Sequence, residues 1–280
     1  MLIRAGYEIT FDCPAPTPMT LLLSVRPERV PDLITSQRIE TSCPTPLHAF
    51  TDLYGNNAHR LQAPAGITTF RGDFVIEDTG LPDEIVWDAE QHPVETLPPE
   101  VLVYVLGSRY CETELLSPLA WSLFGRTPLG WPRVQAIVDH VHDRLTFGYQ
   151  HARATRTAAE ANAERRGVCR DFAHLAVALC RCMNIPARYC TGYLGDIGIP
   201  PVDAPMDFSA WFEVYLGGAW RTFDARHNTP RIGRIPMAYG RDAADVAITT
   251  SFGSARLSTF KVITEEVDEW APGVRERRRA

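Results

Sequence analysis

The sequence predicts an α+β protein in which an all-β, sandwich-like domain (residues 1–115) precedes a mixed domain of helices and antiparallel strands (residues 116–265). Three patterns predict this arrangement. Short alternating runs separated by turn residues fill the first part of the chain, apolar residues at helical spacing follow, and further alternating runs come after the helices. Residues 266–280, which end in an arginine-rich run, are expected to form a frayed tail.

The first part of the chain is rich in proline and in β-branched or aromatic residues. Its predicted strand segments are residues 7–11, 21–25 and 68–77. Residues 52–57 are typical of a turn between two strands. Short strands at this spacing are typical of an antiparallel β-sandwich. Prolines at positions 93, 98 and 99 indicate a connector near residues 88–100.

Helices are predicted after this connector. Pro132 opens a segment with apolar residues at helical spacing, and Thr157 with Glu160 matches a capping box. Residues 169–183 are apolar on nearly every side, so this helix is expected to be buried.

Strands follow the buried helix. They are predicted at residues 187–193, 208–216 and 219–225. Gly217 and Gly218 supply the two-residue loop of a hairpin between the last two strands. Helices followed by antiparallel strands indicate an α+β domain.

Composition argues against several classes of protein. The 280 residues carry a net charge of −6, whereas a nucleic-acid-binding protein is normally basic. No apolar run approaches the ~20 residues that cross a bilayer, and the first residues do not resemble a secretory signal. Seven cysteines without a paired framework favour a reducing, cytoplasmic setting. No metal, nucleotide or flavin motif is present, so no cofactor is expected.

Cys169 begins the predicted buried helix, and this position suits a nucleophile. The unpaired backbone N–H groups and the dipole at a helix N-terminus favour an anion, which predicts a lowered thiol pKa. The same N–H groups could stabilise an oxyanion during attack on an amide carbonyl. Gly167 allows a close approach of the backbone. An ordinary buried thiol is the alternative, and it is the favoured interpretation of Cys180, Cys182 and Cys190.

The hairpin brings a carboxylate near a position that a histidine could occupy. With Gly217 and Gly218 as its loop, Trp211 faces Asp224, and Ser209 lies diagonally from Asp224 at about 7–8 Å between backbones. A histidine side chain at position 209 would bridge that gap. The spacing is therefore that of a Cys–His–Asp group.

Four ordered blocks resemble the transglutaminase-like superfamily, and more closely its bacterial branch, described as cysteine proteases. The blocks are RGVCRDFAH (166–174), NIPARYCTGY (184–193), AWFEVYL (210–216) and WRTFD (220–224). The resemblance implies a papain-like core, in which a helix-borne cysteine packs on an antiparallel sheet. It places the family nucleophile at Cys169 and the family aspartate at Asp224. The first hundred residues resemble, less closely, the β-rich N-terminal region of the same bacterial proteins.

The sequence departs from the family at the histidine, because Ser209 stands where the family histidine is expected. A serine hydroxyl cannot serve as a base near neutral pH. The base could have moved to His227, although strict alternation would point this residue to the opposite face unless the strand ends or bulges first. Alternatively, a thiolate activated by the helix alone acts slowly, or the site is inactive. His174 is a poor substitute, since it is turned ~140° around the helix from Cys169.

The sequence therefore predicts cysteine-dependent acyl transfer or hydrolysis at peptide or glutamine amides through a thioester, with hydrolysis favoured over cross-linking. Cys169, Asp224 and His227 are the predicted catalytic residues. Ser209 and Trp211 are predicted near the substrate, with a packing role as the alternative for the tryptophan. The expected partner is a peptide or protein substrate. The alternative function is an inactive domain that binds a peptide or protein.

Overall fold

The computed structural model describes residues 1–201 and 206–268. Its first 77 residues form six strands, which confirm the predicted β-rich beginning. The strands are β1 (Leu2–Cys13), β2 (Thr17–Leu21), β3 (Glu40–Thr41), β4 (His48–Thr51), β5 (Asn57–Ala63) and β6 (Gly66–Glu77). Asp52 forms the predicted turn between β4 and β5, since its Oδ1 accepts hydrogen bonds from the N–H groups of Tyr54 and Asn56. Only Leu21 of the predicted segment 21–25 lies in a strand.

Helices dominate the next part of the chain. The segment between β6 and the first helix, which contains the predicted connector, forms short 3-10 turns at Val94–Thr96 and Pro99–Val105. The elements that follow are α1 (Thr113–Phe124), α2 (Trp131–Arg144), β7 (Thr146–Phe147), α3 (Ala158–Glu164), β8 (Arg166–Gly167) and α4 (Cys169–Cys182). The predicted capping box of Thr157 and Glu160 opens α3.

The remaining elements are strands. They are β9 (Ala187–Tyr193), β10 (Ser209–Leu216), β11 (Ala219–Phe223), β12 (Ile235–Gly240), β13 (Thr249–Ser251) and β14 (Arg256–Val267). β9 to β12 form one antiparallel sheet in the order β11-β10-β9-β12. The hairpin has the predicted register, with Leu216 opposite Ala219. α4 packs on β9 and β10 and is covered on its other side by α1, α2 and α3.

The end of the chain returns to the first part. β14 pairs with β1, with Leu2 opposite Val267, and β13 pairs with β2. Two four-stranded antiparallel sheets result, in the orders β14-β1-β6-β3 and β13-β2-β5-β4. The division at residues 115 and 265 stays a prediction. β14 nevertheless runs two residues into the predicted tail, and residues 269–280 lie outside the described residues.

One hydrophobic cluster joins the two parts. Ile3 and Phe74 from the first part and Tyr193 and Met237 from the sheet under α4 are fully buried within it. The α+β fold therefore has a continuous core in which the N-terminal strands support the sheet that holds α4. In the part of the chain that the structure describes, no helix has both the length and the apolar character required to cross a membrane.

Candidate active site

The first turn of α4 is fixed by a buried carboxylate. Asp171 Oδ2 accepts a hydrogen bond from the Val168 N–H at 2.9 Å and another from Arg156 Nη1 at 2.9 Å. A Cβ atom on Gly167 would lie 2.5 Å from the Asp171 side chain, so the position requires glycine. Cys169, the first residue of the helix, is therefore held by a rigid turn.

The environment of Cys169 corrects one expectation. Instead of lowering the thiol pKa, the structure raises it to about 11, because burial disfavours the thiolate more than the nearby Arg226 and a hydrogen bond from the Ala210 N–H favour it. Asp171 also places a carboxylate in the first turn of α4, and its negative charge reduces the positive potential by which the helix dipole would favour a thiolate. A raised thiol pKa favours the protonated form, so attack by the sulfur calls for a base.

Asp224 lies directly after the end of β11, and its carboxylate receives four hydrogen bonds. Oδ1 accepts from the N–H groups of Arg226 and His227, at 3.0 and 3.1 Å. Oδ2 accepts from His227 Nδ1 at 2.8 Å and from Arg234 Nη2 at 3.0 Å. Burial alone would raise the pKa of Asp224, but Arg234 and His227 hold it well below its ordinary value. Asp224 is thus a fixed anion that orients the His227 ring.

The predicted relocation of the base to His227 requires the strand to end or bulge before residue 227, and the strand does end first. β11 ends at Phe223, and residues 225–227 form a turn, so strand alternation no longer decides where the ring points. With Nδ1 bonded to Asp224, the other ring nitrogen, Nε2, is left to act on a neighbouring group. His227 and Cys169 line the same cavity.

The two residues predicted near the substrate lie in different places. Ser209 lines the cavity of Cys169 and His227. Trp211 is buried beside its cross-strand neighbour Cys190 and against Tyr239 and does not line this cavity, so its predicted substrate contact is not found. The neighbouring Phe212 packs toward α4, so Trp211 lies on the other face of the sheet, where Cys190 and Tyr239 cover it.

Trp220 and His174 also have packing roles. The Trp220 ring lies 4.3 Å from the Arg188 guanidinium and packs edge-on against Tyr104. His174 is fully buried in α4, where its Nε2 accepts the Ala243 N–H at 3.1 Å. Its exclusion as the base agrees with this position.

Several residues of the cavity were missed by sequence reasoning. The charged and polar ones are Tyr149, Asp196, Asp207, Arg226 and Arg231. Most come from loops that no periodic pattern marks. Arg226 had a local signal, because it lies between Asp224 and His227 in the sequence.

Comparison with known proteins identifies the family of the region that contains α4 and the hairpin. Residues 124–225, which include Cys169, Ser209 and Asp224, match the profile of the Transglutaminase-like superfamily. The chain contains a transglutaminase-like domain. The match begins at the end of α1 and ends just after β11, so it contains both α4 and the hairpin.

Two similar proteins match this chain over most of its length. The crystal structure of a putative cysteine protease from Cytophaga hutchinsonii is 29% identical, with a TM-score of 0.82, and the match covers 96% of this chain and 91% of that one. ML0607, an uncharacterized protein of Mycobacterium leprae (strain TN), is 27% identical over 266 residues, which are 84% of this chain and 86% of that protein. The first similarity includes the N-terminal sheets as well as the transglutaminase-like domain.

Proposed function

We propose that the transglutaminase-like domain is a cysteine-dependent enzyme that cleaves peptide or glutamine amides through a thioester. The proposal rests on one observation: Cys169 and the Asp224-bound His227 line the same cavity. The similarity to a structure described as a putative cysteine protease supports it. It also favours water over an amine as the acceptor, and a peptide or protein as the substrate.

The reaction begins with proton transfer. His227 Nε2 takes the proton of the Cys169 thiol as the sulfur attacks the amide carbonyl carbon. The C–N bond then breaks, the imidazolium gives its proton to the leaving amine or ammonia, and a thioester remains on Cys169. Asp224 holds the Nδ1–H throughout and stabilises the imidazolium.

Hydrolysis completes the cycle. Water attacks the thioester carbonyl while His227 takes one of its protons, and the acid is released as the Cys169 thiol is restored. An amine in place of water would give transamidation by the same steps. Because burial raises the Cys169 pKa, a stable thiolate–imidazolium pair is not expected before the substrate binds. His227 instead removes the thiol proton while the sulfur attacks.

Substitution of the nucleophile tests this function. Cys169→Ala is expected to reduce amine release from a panel of peptide and glutamine amides to the background rate. The matched control is Cys180→Ala, which removes a fully buried thiol from the same helix and should retain activity. Equal turnover by the wild type and Cys169→Ala would overturn the proposal and favour a peptide-binding module.

We also propose a cytoplasmic location. All seven cysteines of the chain are free thiols, which suits a reducing compartment.

A further inference from the structure

Arg226 occupies a fixed position in the cavity of Cys169. Its backbone N–H is held by Asp224 Oδ1, and its guanidinium carbon lies 3.8 Å from the centre of the Phe147 ring. Phe147 belongs to β7, which pairs with β8 directly before α4. The guanidinium is therefore attached to the same small region as Cys169 instead of extending on a free side chain.

Arg226 carries a charge that no described residue neutralises in an ion pair. Arg234, in contrast, is paired with both Asp83 and Asp224. Within residues 1–201 and 206–268, Arg226 forms no ion pair, although its guanidinium interacts with the Tyr149 hydroxyl. A guanidinium that stacks on an aromatic ring still presents N–H groups along its edge, and this edge fits a carboxylate.

The other charges of the cavity do not remove this capacity. Arg231 adds a second positive charge, and its Nη2 is occupied by the Gly195 carbonyl at 2.8 Å. Asp207 adds a carboxyl group that attracts Arg226 electrostatically, although the described residues show no ion pair between the two, and Asp196 has an interaction of its own. Among the described residues of the cavity, Arg226 is therefore a cation that is held in place by Phe147 and has no ion-pair partner.

We propose that Arg226 determines specificity by binding a carboxylate of the substrate next to the scissile amide. The preferred substrates are then peptides with an acidic side chain, or a free C-terminal carboxylate, beside the bond that is cleaved. This inference rests on the proposed function, because it assumes that Cys169 attacks an amide bound in this cavity.

Two alkylating reagents that differ in one charge test the inference without turnover. Iodoacetate is an anion and iodoacetamide is neutral, and with both the Cys169 sulfur displaces iodide to form an S–C bond. The ratio of the two rates on Cys169, measured by peptide mass spectrometry, cancels any change in thiol pKa. We expect Arg226→Gln to lower the iodoacetate-to-iodoacetamide ratio about fivefold, the size expected for one partly exposed ion pair.

Variants distinguish the guanidinium from a general charge effect. Arg226→Lys should keep part of the preference for iodoacetate, because it keeps the charge without the planar edge. Asp207→Asn should raise the ratio, and Arg126→Gln, at an exposed position outside the cavity, should leave it unchanged. An unchanged ratio in Arg226→Gln, with Cys169 still reactive, overturns this inference alone. A Cys169 that reacts with neither reagent even at pH 9 overturns the proposed function as well.

Matched peptides identify the source of the carboxylate. One peptide has a glutamate beside the scissile amide and an amidated C-terminus, a second has a glutamine there and a free C-terminal carboxylate, and a third has glutamine and an amidated C-terminus. The wild type should have the highest kcat/KM on one of the two anionic peptides, and Arg226→Gln should reduce that advantage about fivefold, mainly through KM. Equal kcat/KM on all three peptides contradicts the inference.

Discussion

Asp224 Oδ2 accepts hydrogen bonds from both an arginine and a histidine, and these two bonds fix the charge and the orientation of the groups in the site. Arg234 neutralises the carboxylate from one side, while His227 Nδ1 binds it from the other. The aspartate therefore remains ionised and still orients the imidazole. Ser209 stands where the family histidine is expected, and the imidazole that binds Asp224 in this structure is that of His227.

A rescue experiment tests this exchange of bases. In wild-type protein, Ser209→His should give little increase in kcat, because Asp224 already holds His227. Adding Ser209→His to the His227→Gln variant should raise kcat at least about tenfold above that of His227→Gln alone. The reason is that a positioned base contributes roughly 10²–10⁴-fold to the rate. Steady-state amine release measures both effects. A large gain from Ser209→His alone would mean that His227 is not an effective base.

The pH dependence of alkylation tests the state of the thiol. Since burial raises the Cys169 pKa to about 11, only the small thiolate fraction reacts at neutral pH. The rate with iodoacetamide in His227→Gln should therefore keep rising by about tenfold per pH unit through pH 9, whereas an unfolded cysteine levels off above ~8.5. A plateau below pH 8 would show that the helix N-terminus does lower the pKa.

Sequence reasoning located Cys169 and Asp224 but could not place His227. The cysteine and aspartate lie in ordered blocks whose spacing is visible along the chain. The orientation of His227 depends on where β11 ends and on a turn fixed by two backbone N–H groups bonded to Asp224. Residue patterns do not locate the end of a strand to within one residue. The position of a cysteine in a helix also does not show how far burial raises its thiol pKa.

At the scale of elements, the start of α4 depends on the Asp171–Arg156 pair. The side chains of both residues are almost completely buried, and Asp171 also accepts the Val168 N–H. Removal of one partner from a buried, hydrogen-bonded ion pair typically costs 3–5 kcal/mol, and the lower end of this range is expected here because Arg156 would keep Glu164 at 3.1 Å. This pair stabilises the turn that holds the nucleophile.

Asp171→Asn should therefore lower the free energy of unfolding by about 3 kcal/mol. Glu160→Gln is the matched control, because Glu160 has the same place in the exposed capping box of α3, where the cost should be about 1 kcal/mol or less. Urea unfolding followed by circular dichroism compares the two variants. Equal losses would show that burial of Asp171 contributes nothing beyond ordinary capping.

Most helices and strands were predictable because their patterns are local. α4, α2 and the β10–β11 hairpin follow from apolar spacing, Pro132 and the two glycines. α1 was missed, since its N-cap position, Glu112, provides no side-chain cap and Pro118 lies inside it. β14 was missed because its partner, β1, lies at the other end of the chain.

At the scale of the whole molecule, the shared core links the N-terminal sheets to the transglutaminase-like domain. The Phe74 ring packs edge-on against Tyr193 at 5.7 Å between centroids, and both side chains are fully buried. Tyr193 ends β9, which pairs with β10 beside the cavity. The two parts are therefore expected to unfold together.

Phe74→Ala should destabilise both parts by about 3–5 kcal/mol. The measurement is urea unfolding, with far-UV circular dichroism for the strands and alkylation of the fully buried Cys180 for α4. Both signals should shift to the same lower urea concentration. Phe252→Ala, at a residue that is 64% exposed, is the control with little effect. A Cys180 that stays protected after the strands unfold would mean that the parts are independent.

The most direct test of the Cys169–His227–Asp224 assignment is the rate at which an activated ester of a short peptide acylates Cys169. Peptide mapping by rapid-quench mass spectrometry measures the thioester. We predict that the acyl group appears on Cys169 of the wild type, and that His227→Gln slows its formation at neutral pH by about 100-fold. Equal rates in the two proteins, or acylation at another cysteine, would contradict the assignment.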